Sequence, residues 1–224
     1  MAYSLAELRR DLSRRDTPPQ RWLSGVRWRW ANRAALARSD PDPAGLRVVF
    51  AIPLISARKA ADWTAVQDNL AATLGSLRRQ SDPRWIAAVC CQERPERIAF
   101  DDRVRFVEFP HHPPGIDKGH KTSTLRHWIA EELRGAGYYF ALDADDLIHP
   151  GLVAHILGDD NRGGYIVGKG YMLDHAAMRL AVLQPPDDSY PEATHFFRSC
   201  GSSSALWFDF DCGADFATAL AARG

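Results

Sequence analysis

Residues Tyr138 to Asp146 read Tyr-Tyr-Phe-Ala-Leu-Asp-Ala-Asp-Asp: five apolar side chains, then three carboxylates within four positions. The apolar run predicts a strand over Tyr138–Leu142 that is buried on both faces. Crowded carboxylates repel one another and raise each other's pKa unless a cation neutralises them. Asp143 and Asp145 are two apart, so in extended backbone they point the same way. That spacing suits one hard divalent cation, Mn²⁺ or Mg²⁺, held through oxygen with positions left open for phosphate. Such a cation would balance the charge of a departing diphosphate. The competing reading is that Asp146 caps the next helix and the others are ordinary loop acids.

Working outward, buried strands are expected at Leu46–Ile55 (LRVVFAIPLI), Trp85–Cys91 and Val104–Phe109, with a fifth at Ile166–Met172. Asp62 is a plausible N-cap for a helix from Trp63 to about Arg79, with Val66, Leu70, Leu74 and Leu77 on one side. A second helix is expected from about Thr122 to Leu133, closed by Gly135 and Gly137, and a third near Pro150. Strands alternating with helices predict an α/β fold with a largely parallel sheet whose strand C-termini line one ligand-binding edge. Pro53, Gln92-Glu93 and Asp143–Asp146 all fall on that edge.

The 224 residues leave room for one large domain plus a short extension. We divide the chain into a basic helical extension and linker, 1–45, and a main domain, 46–224. Charge cancels at 28 basic against 28 acidic side chains, so no global field recruits nucleic acid. Residues 1–39 nevertheless carry nine arginines against Glu7, Asp11 and Asp16, interleaved with Trp22, Trp28 and Trp30. This segment reads either as amphipathic helices packed on the domain or as a surface for peripheral membrane contact or a polyanion. No apolar run reaches the roughly 20 residues of a membrane span, and the first residues lack the apolar stretch expected of a secretory signal peptide. Cytoplasmic residence is the expectation, with the inner face of the membrane as the alternative. Of four cysteines, Cys90 and Cys91 read as small buried hydrophobes, and a Cys200–Cys212 disulfide is disfavoured in a reducing compartment.

The strand ending in Leu-Asp-Ala-Asp-Asp, about ninety residues after the Val-Phe-Ala-Ile-Pro strand, resembles a GT-A glycosyltransferase of the family 2 type. The resemblance spans roughly Leu46 to Leu206. It includes Ser-Leu-Arg-Arg-Gln-Ser-Asp-Pro-Arg-Trp leading into the second strand, Lys121-Thr122-Ser123-Thr124-Leu125-Arg126 before the acidic motif, and the small-residue segment Cys200–Ala205. It implies transfer of a sugar from a nucleotide-diphosphate donor to a saccharide or lipid-linked acceptor, assisted by Mn²⁺ or Mg²⁺. By position, Asp145 would bind the metal and Asp143 the metal or the donor ribose. Pro53 and its neighbours would line the base pocket, and Lys121, or Lys118 in competition with it, would approach the phosphates. Arg198, Gly201 and Ser202 would fall on the acceptor side.

The chain departs from that pattern in three places. Gln92 or Glu93 must supply the base contact where the family usually has an acidic residue at the second strand's end. A general base is expected downstream of the small residues, where Asp209, Asp211 and Asp215 are the only carboxylates. For a metal-binding histidine, His175 and His195 are the candidates. Two readings therefore stand: a glycosyltransferase, whole or truncated on its acceptor side, or a catalytically impaired donor-binding module of the same fold. A haloacid-dehalogenase phosphohydrolase is disfavoured because its nucleophilic Asp lies on the first strand, and a nucleotidyltransferase because Pro53–Ser56 offers no glycine-rich loop.

Overall fold

Between Arg47 and Pro53 the chain runs β-branched and apolar, and Val48, Val49, Phe50 and Ile52 are wholly buried. A strand this apolar on both faces belongs at the centre of a covered sheet. The computed structural model, which describes residues 33–159, 161–174 and 176–212, puts it there.

The elements are α1 (Arg33–Leu36), β1 (Arg47–Pro53), α2 (Trp63–Arg78), β2 (Trp85–Cys91), β3 (Val104–Glu108), α3 (Lys118–Glu132), β4 (Ala136–Ala141), α4 (Leu152–Asp159), β5 (Tyr165–Ile166), β6 (Gly170–Asp174), β7 (Arg179–Leu183), α5 (Phe196–Ser199) and β8 (Ser204–Asp209). Six strands form the main sheet in the order β3-β2-β1-β4-β8-β5. The first four are parallel, and β8 runs antiparallel to both β4 and β5. The fold is thus α/β with a mostly parallel sheet, as the alternating pattern predicts. Successive strands step outward from β1 to β3, and the chain then crosses back to place β4 on β1's other side. A crevice opens between β1 and β4 at this switch point, beyond the strand C-termini, where open α/β sheets bind ligands.

Local sequence explains the helices. Asp62 accepts from the Ala65 backbone N–H at 2.9 Å, and α2 buries Leu70, Leu74 and Leu77 at helical spacing. Asp62→Ala should cost about 1 kcal/mol of stability, read as a small drop in the midpoint of a denaturant melt. Thr73 and Ser76 on the same helix bond to Ala144 O and Ile148 N, tying α2 to the acidic turn.

The structure corrects two expectations about these elements. Helix α3 begins at Lys118, four residues before Thr122, with Lys121 N–H donating to Asp117 O at 3.1 Å. The fifth strand is not continuous over Ile166–Met172. Val167 N–H donates to Ser203 O and Phe196 N–H to Gly168 O, which turns the chain out of the main sheet. Residues from Gly170 on form a separate β6–β7 hairpin. Gly170 is required there, since a Cβ would lie 2.3 Å from the Phe196 ring. The 39–45 linker is tied to the domain: Arg84 Nη1 donates to Pro43 O, and Ser39 Oγ to the Asp209 carboxylate. The helices expected before Arg33, His175 and Asp215 lie outside the described residues. Among the described residues no helix is long and apolar enough to cross a membrane.

Candidate functional site

The β1–β4 crevice is a cleft of about 550 Å³. One wall is the end of β1, Pro53-Leu54-Ile55, faced by Val66 and Asn69 of α2. The other end is polar, with Asp143, Ala144 and Asp145 beyond β4 and Lys118 at the start of α3. Gly115, Ile116, Asp117, Lys59 and Lys121 complete the lining. An apolar slot running into a charged end suits a ligand that is flat and apolar at one end and anionic at the other.

Asp143 and Asp145 are not held by extended backbone. The strand ends at Ala141, and Asp146 N–H closes a turn onto Asp143 O at 3.3 Å. The turn still brings both carboxylates to the cleft. Asp143 Oδ1 meets Lys118 Nζ at 2.6 Å across a half-exposed ion pair. Asp145 is exposed, with no hydrogen bond or ion pair among the described residues. Asp146 faces away from a capping role: its Oδ2 accepts from Cys200 Sγ at 3.3 Å. Burial, reinforced by the Asp146 charge, pushes the Cys200 thiol up to about 11, so it stays protonated.

The small-residue segment packs onto this turn. Asp143 N–H donates to Ser202 Oγ at 2.7 Å, and a Cβ on Gly201 would lie 3.6 Å from Asp143 Oδ2. Gly201 and Ser202 are therefore beside the acidic turn. Arg198 lies on α5 near His195, whose pKa is lowered by burial and by the Arg198 charge. Neither lines the cleft.

Beneath the slot lies a buried ionic knot that the sequence reading missed. The Lys121 ammonium is fully buried, donating to Leu54 O at 2.6 Å and pairing with Asp117 Oδ1 at 3.2 Å. Lys121 is thus not solvated; its ammonium holds the end of β1 at the floor of the cleft. Asp117 Oδ2 also accepts from Lys59 Nζ at 3.0 Å and Gln92 Nε2 at 2.9 Å. Lys59 reaches Pro113 O and Gly115 O as well, and Gln92 reaches His111 O. Burial pushes the Asp117 carboxyl up, but donors Gln92, Lys59 and Lys121 outweigh it and hold it at about 2. The i,i+4 spacing of Asp117 and Lys121 was the available signal.

Gln92 and Glu93, the expected base contacts, are both engaged within the protein. Gln92 is occupied as above, and Glu93 Oε2 accepts Ala57 N–H at 3.1 Å; neither lines the cleft. Asp209 and Asp211 fall at the wrong edge. β8 runs antiparallel to β4, pairing Asp209 with Ala136 at its start, roughly 17 Å along the strand from Ala141. Buried Asp209 accepts the N–H groups of Asp211 and Cys212 and closes that end of the sheet. The cysteines are unpaired, and burial pushes the Cys90 thiol up to about 12, as expected of a core residue.

Among the described residues no three His, Cys, Asp or Glu side chains gather into a closed metal centre. The donor set nevertheless fits an open hard-cation site. Asp145 and the free oxygen of Asp143 are oxygen donors, and the cation Lys118 already sits on Asp143. A divalent ion held this way would leave positions open for phosphate and water. No protein-family model matches the chain, and no curated protein matches it.

Proposed function

We propose that the chain binds a nucleoside-diphosphate sugar in the β1–β4 cleft and transfers its glycosyl group to a hydroxyl acceptor, as a GT-A type glycosyltransferase. One observation carries the reading: the switch-point cleft joins an apolar slot to an end holding two carboxylates and a lysine. Pro53, Ile55 and Val66 would flank a nucleobase and exclude water, with Asn69 at its edge. Asp143 and Asp145 would hold Mn²⁺ or Mg²⁺, which supplies charge neutralisation to the diphosphate as the anomeric C–O bond breaks. Lys118 would donate to a phosphate oxygen as a compact cation. Ser202 fixes the Asp143 backbone, and the bare backbone of Gly201 leaves room for the acceptor, saccharide or lipid-linked. The balanced charge of the chain supports a small-molecule donor over nucleic acid.

A thermal-shift panel tests this. Mn²⁺ with UDP or GDP at about a hundredfold over Kd should raise the melting temperature by about 5–10 °C, and no shift with any nucleoside diphosphate would overturn the reading. A second reading, donor binding without turnover, is favoured by one observation: Asp209 and Asp211 lie at the far edge, so neither serves as general base. Hydrolysis of a nucleotide sugar separates the two, since slow release of free sugar requires the enzyme.

A further inference from the structure

Most polar groups around the apolar slot are engaged inside the protein. Lys59 Nζ donates to Pro113 O, Gly115 O and the Asp117 carboxylate, so its three N–H bonds are all used. Asp117 accepts from Gln92 and Lys121 as well, and Lys121 also holds Leu54 O. The backbone of the β1 wall is committed in the same way. Leu54 N–H donates to Cys90 O, and Ile55 O accepts the Cys91 thiol at 3.5 Å. What faces the slot is then aliphatic: Pro53, Leu54, Ile55, Val66 and Ile116. Among the described residues Asn69 is the one uncharged polar side chain on the lining, and nothing there hydrogen-bonds to it.

Ile116 is held out into the cleft by its surroundings. It is 91% exposed, yet the chain on either side of it is fixed. Lys59 grips Pro113 O and Gly115 O before it, Gln92 holds His111 O, and the buried Asp117 follows it. Gly115, at φ 71°, makes the turn that a side chain would resist. Isoleucine is itself stiff at χ1. A residue already fixed loses little freedom when a ligand covers it, so its burial contributes to affinity with little offset.

We propose that the cleft grips the nucleoside of its donor by apolar contact with Ile116 and the β1 wall, and accepts the diphosphates of uridine, cytidine, adenosine and guanosine nearly alike. The inference rests on the donor reading above and adds how the base is chosen. Bases differ chiefly in their hydrogen-bonding edges. A site built to bond such an edge rejects a ligand lacking it by about ten-thousandfold or more, whereas an apolar pocket separates similar ligands by only about ten- to two-hundredfold. The Asn69 amide sets an acceptor beside a donor, and every one of the four bases carries a donor beside an acceptor, so this side chain suits them all. Gln92 and Glu93, at the end of β2, are tied to Asp117 and to Ala57 N–H and do not line the slot. Selection among donors then falls to the charged end of the cleft, where Asp143, Asp145 and Lys118 stand.

Titration calorimetry of the full chain with Mn²⁺ and each of UDP, CDP, ADP and GDP tests this, with inorganic pyrophosphate as the ligand that lacks a nucleoside. The four nucleotide Kd values should lie within about thirtyfold of one another, and pyrophosphate should bind more weakly than any of them. Ile116→Ser, at a position the core does not use, should weaken all four nucleotides by about tenfold and leave pyrophosphate unchanged. Ile55→Ser gives the same readout from the β1 wall. Asn69→Ala should move no nucleotide by more than about threefold. Three results overturn the proposal: a wider spread among the four, nucleotide and pyrophosphate affinities that move together or not at all in both isoleucine variants, or an Asn69→Ala protein that loses one base selectively. Absence of binding by all four would remove the donor reading and this inference with it, whereas a strong preference for one base would remove the inference alone.

Discussion

Asp117→Asn is expected to destabilise the protein by about 3–5 kcal/mol, a drop of about 10 °C in melting temperature for a domain of this size. Asparagine keeps the shape and removes the charge. The Lys121 ammonium, fully buried against Leu54 O, then loses the only carboxylate it pairs with among the described residues, and Lys59 loses one of its acceptors. An uncompensated buried charge is what makes breaking such a pair expensive, whereas replacing its cation with an apolar side chain of similar volume is far milder. Lys121→Met should therefore lose less than Asp117→Asn, and the double variant should recover part of the Asp117→Asn loss.

The same group sets a pH dependence. In the folded chain the Asp117 carboxyl titrates at about 2, against 3.8 ordinarily. The unfolded state thus takes up the proton first as pH falls. The stability this carboxylate contributes, on the order of 2 kcal/mol, is complete above about pH 4 and lost progressively between about pH 4 and pH 2. Urea melts across that window should show a slope in the wild type that Asp117→Asn flattens. Unchanged slopes, with Asp117→Asn as stable as the wild type, would mean that the knot does not tie the 110–117 loop to β1 and β2.

How far the sequence foretold this domain depended on how local the information was. β2 runs from Trp85 to Cys91 as the apolar run indicates, and Asp62 caps α2, because strand burial and helix capping are written into neighbouring residues. The acidic run at the end of β4 was legible for the same reason, whereas its packing against Ser202, 59 positions away, was not. The knot was not. Lys121 reads as a polar residue near a helix start, and its burial is decided by Leu54, 67 positions away, together with an Asp117 placed in the loop. Asp209 likewise looked like an available carboxylate until antiparallel pairing carried it to the far edge. The break between β5 and β6 depends on Ser203 and Phe196, which no window around Ile166 contains.

Asp145→Ala and Lys118→Met should separate the two roles assigned to the charged end of the cleft. Asp145 has no competing partner among the described residues, so its loss should abolish the Mn²⁺-dependent part of the nucleotide thermal shift outright. Lys118 is different, because its ammonium already lies 2.6 Å from Asp143 Oδ1. That pair is exposed enough to contribute at most about 1 kcal/mol to folding, so Lys118→Met should fold normally. Removing the ammonium frees a full carboxylate for metal, and Mn²⁺ alone should bind about tenfold more tightly. The phosphate loses a charge-assisted donor at the same time, and metal-free UDP or GDP should bind about tenfold more weakly. Titration calorimetry of each ligand separately reads both signs. A lysine serving only the local structure would move the two affinities together or not at all, and either result would remove Lys118 from the donor site. Opposite signs in a single variant have a simple origin: within this turn, lysine and divalent ion compete for one carboxylate while cooperating on one diphosphate.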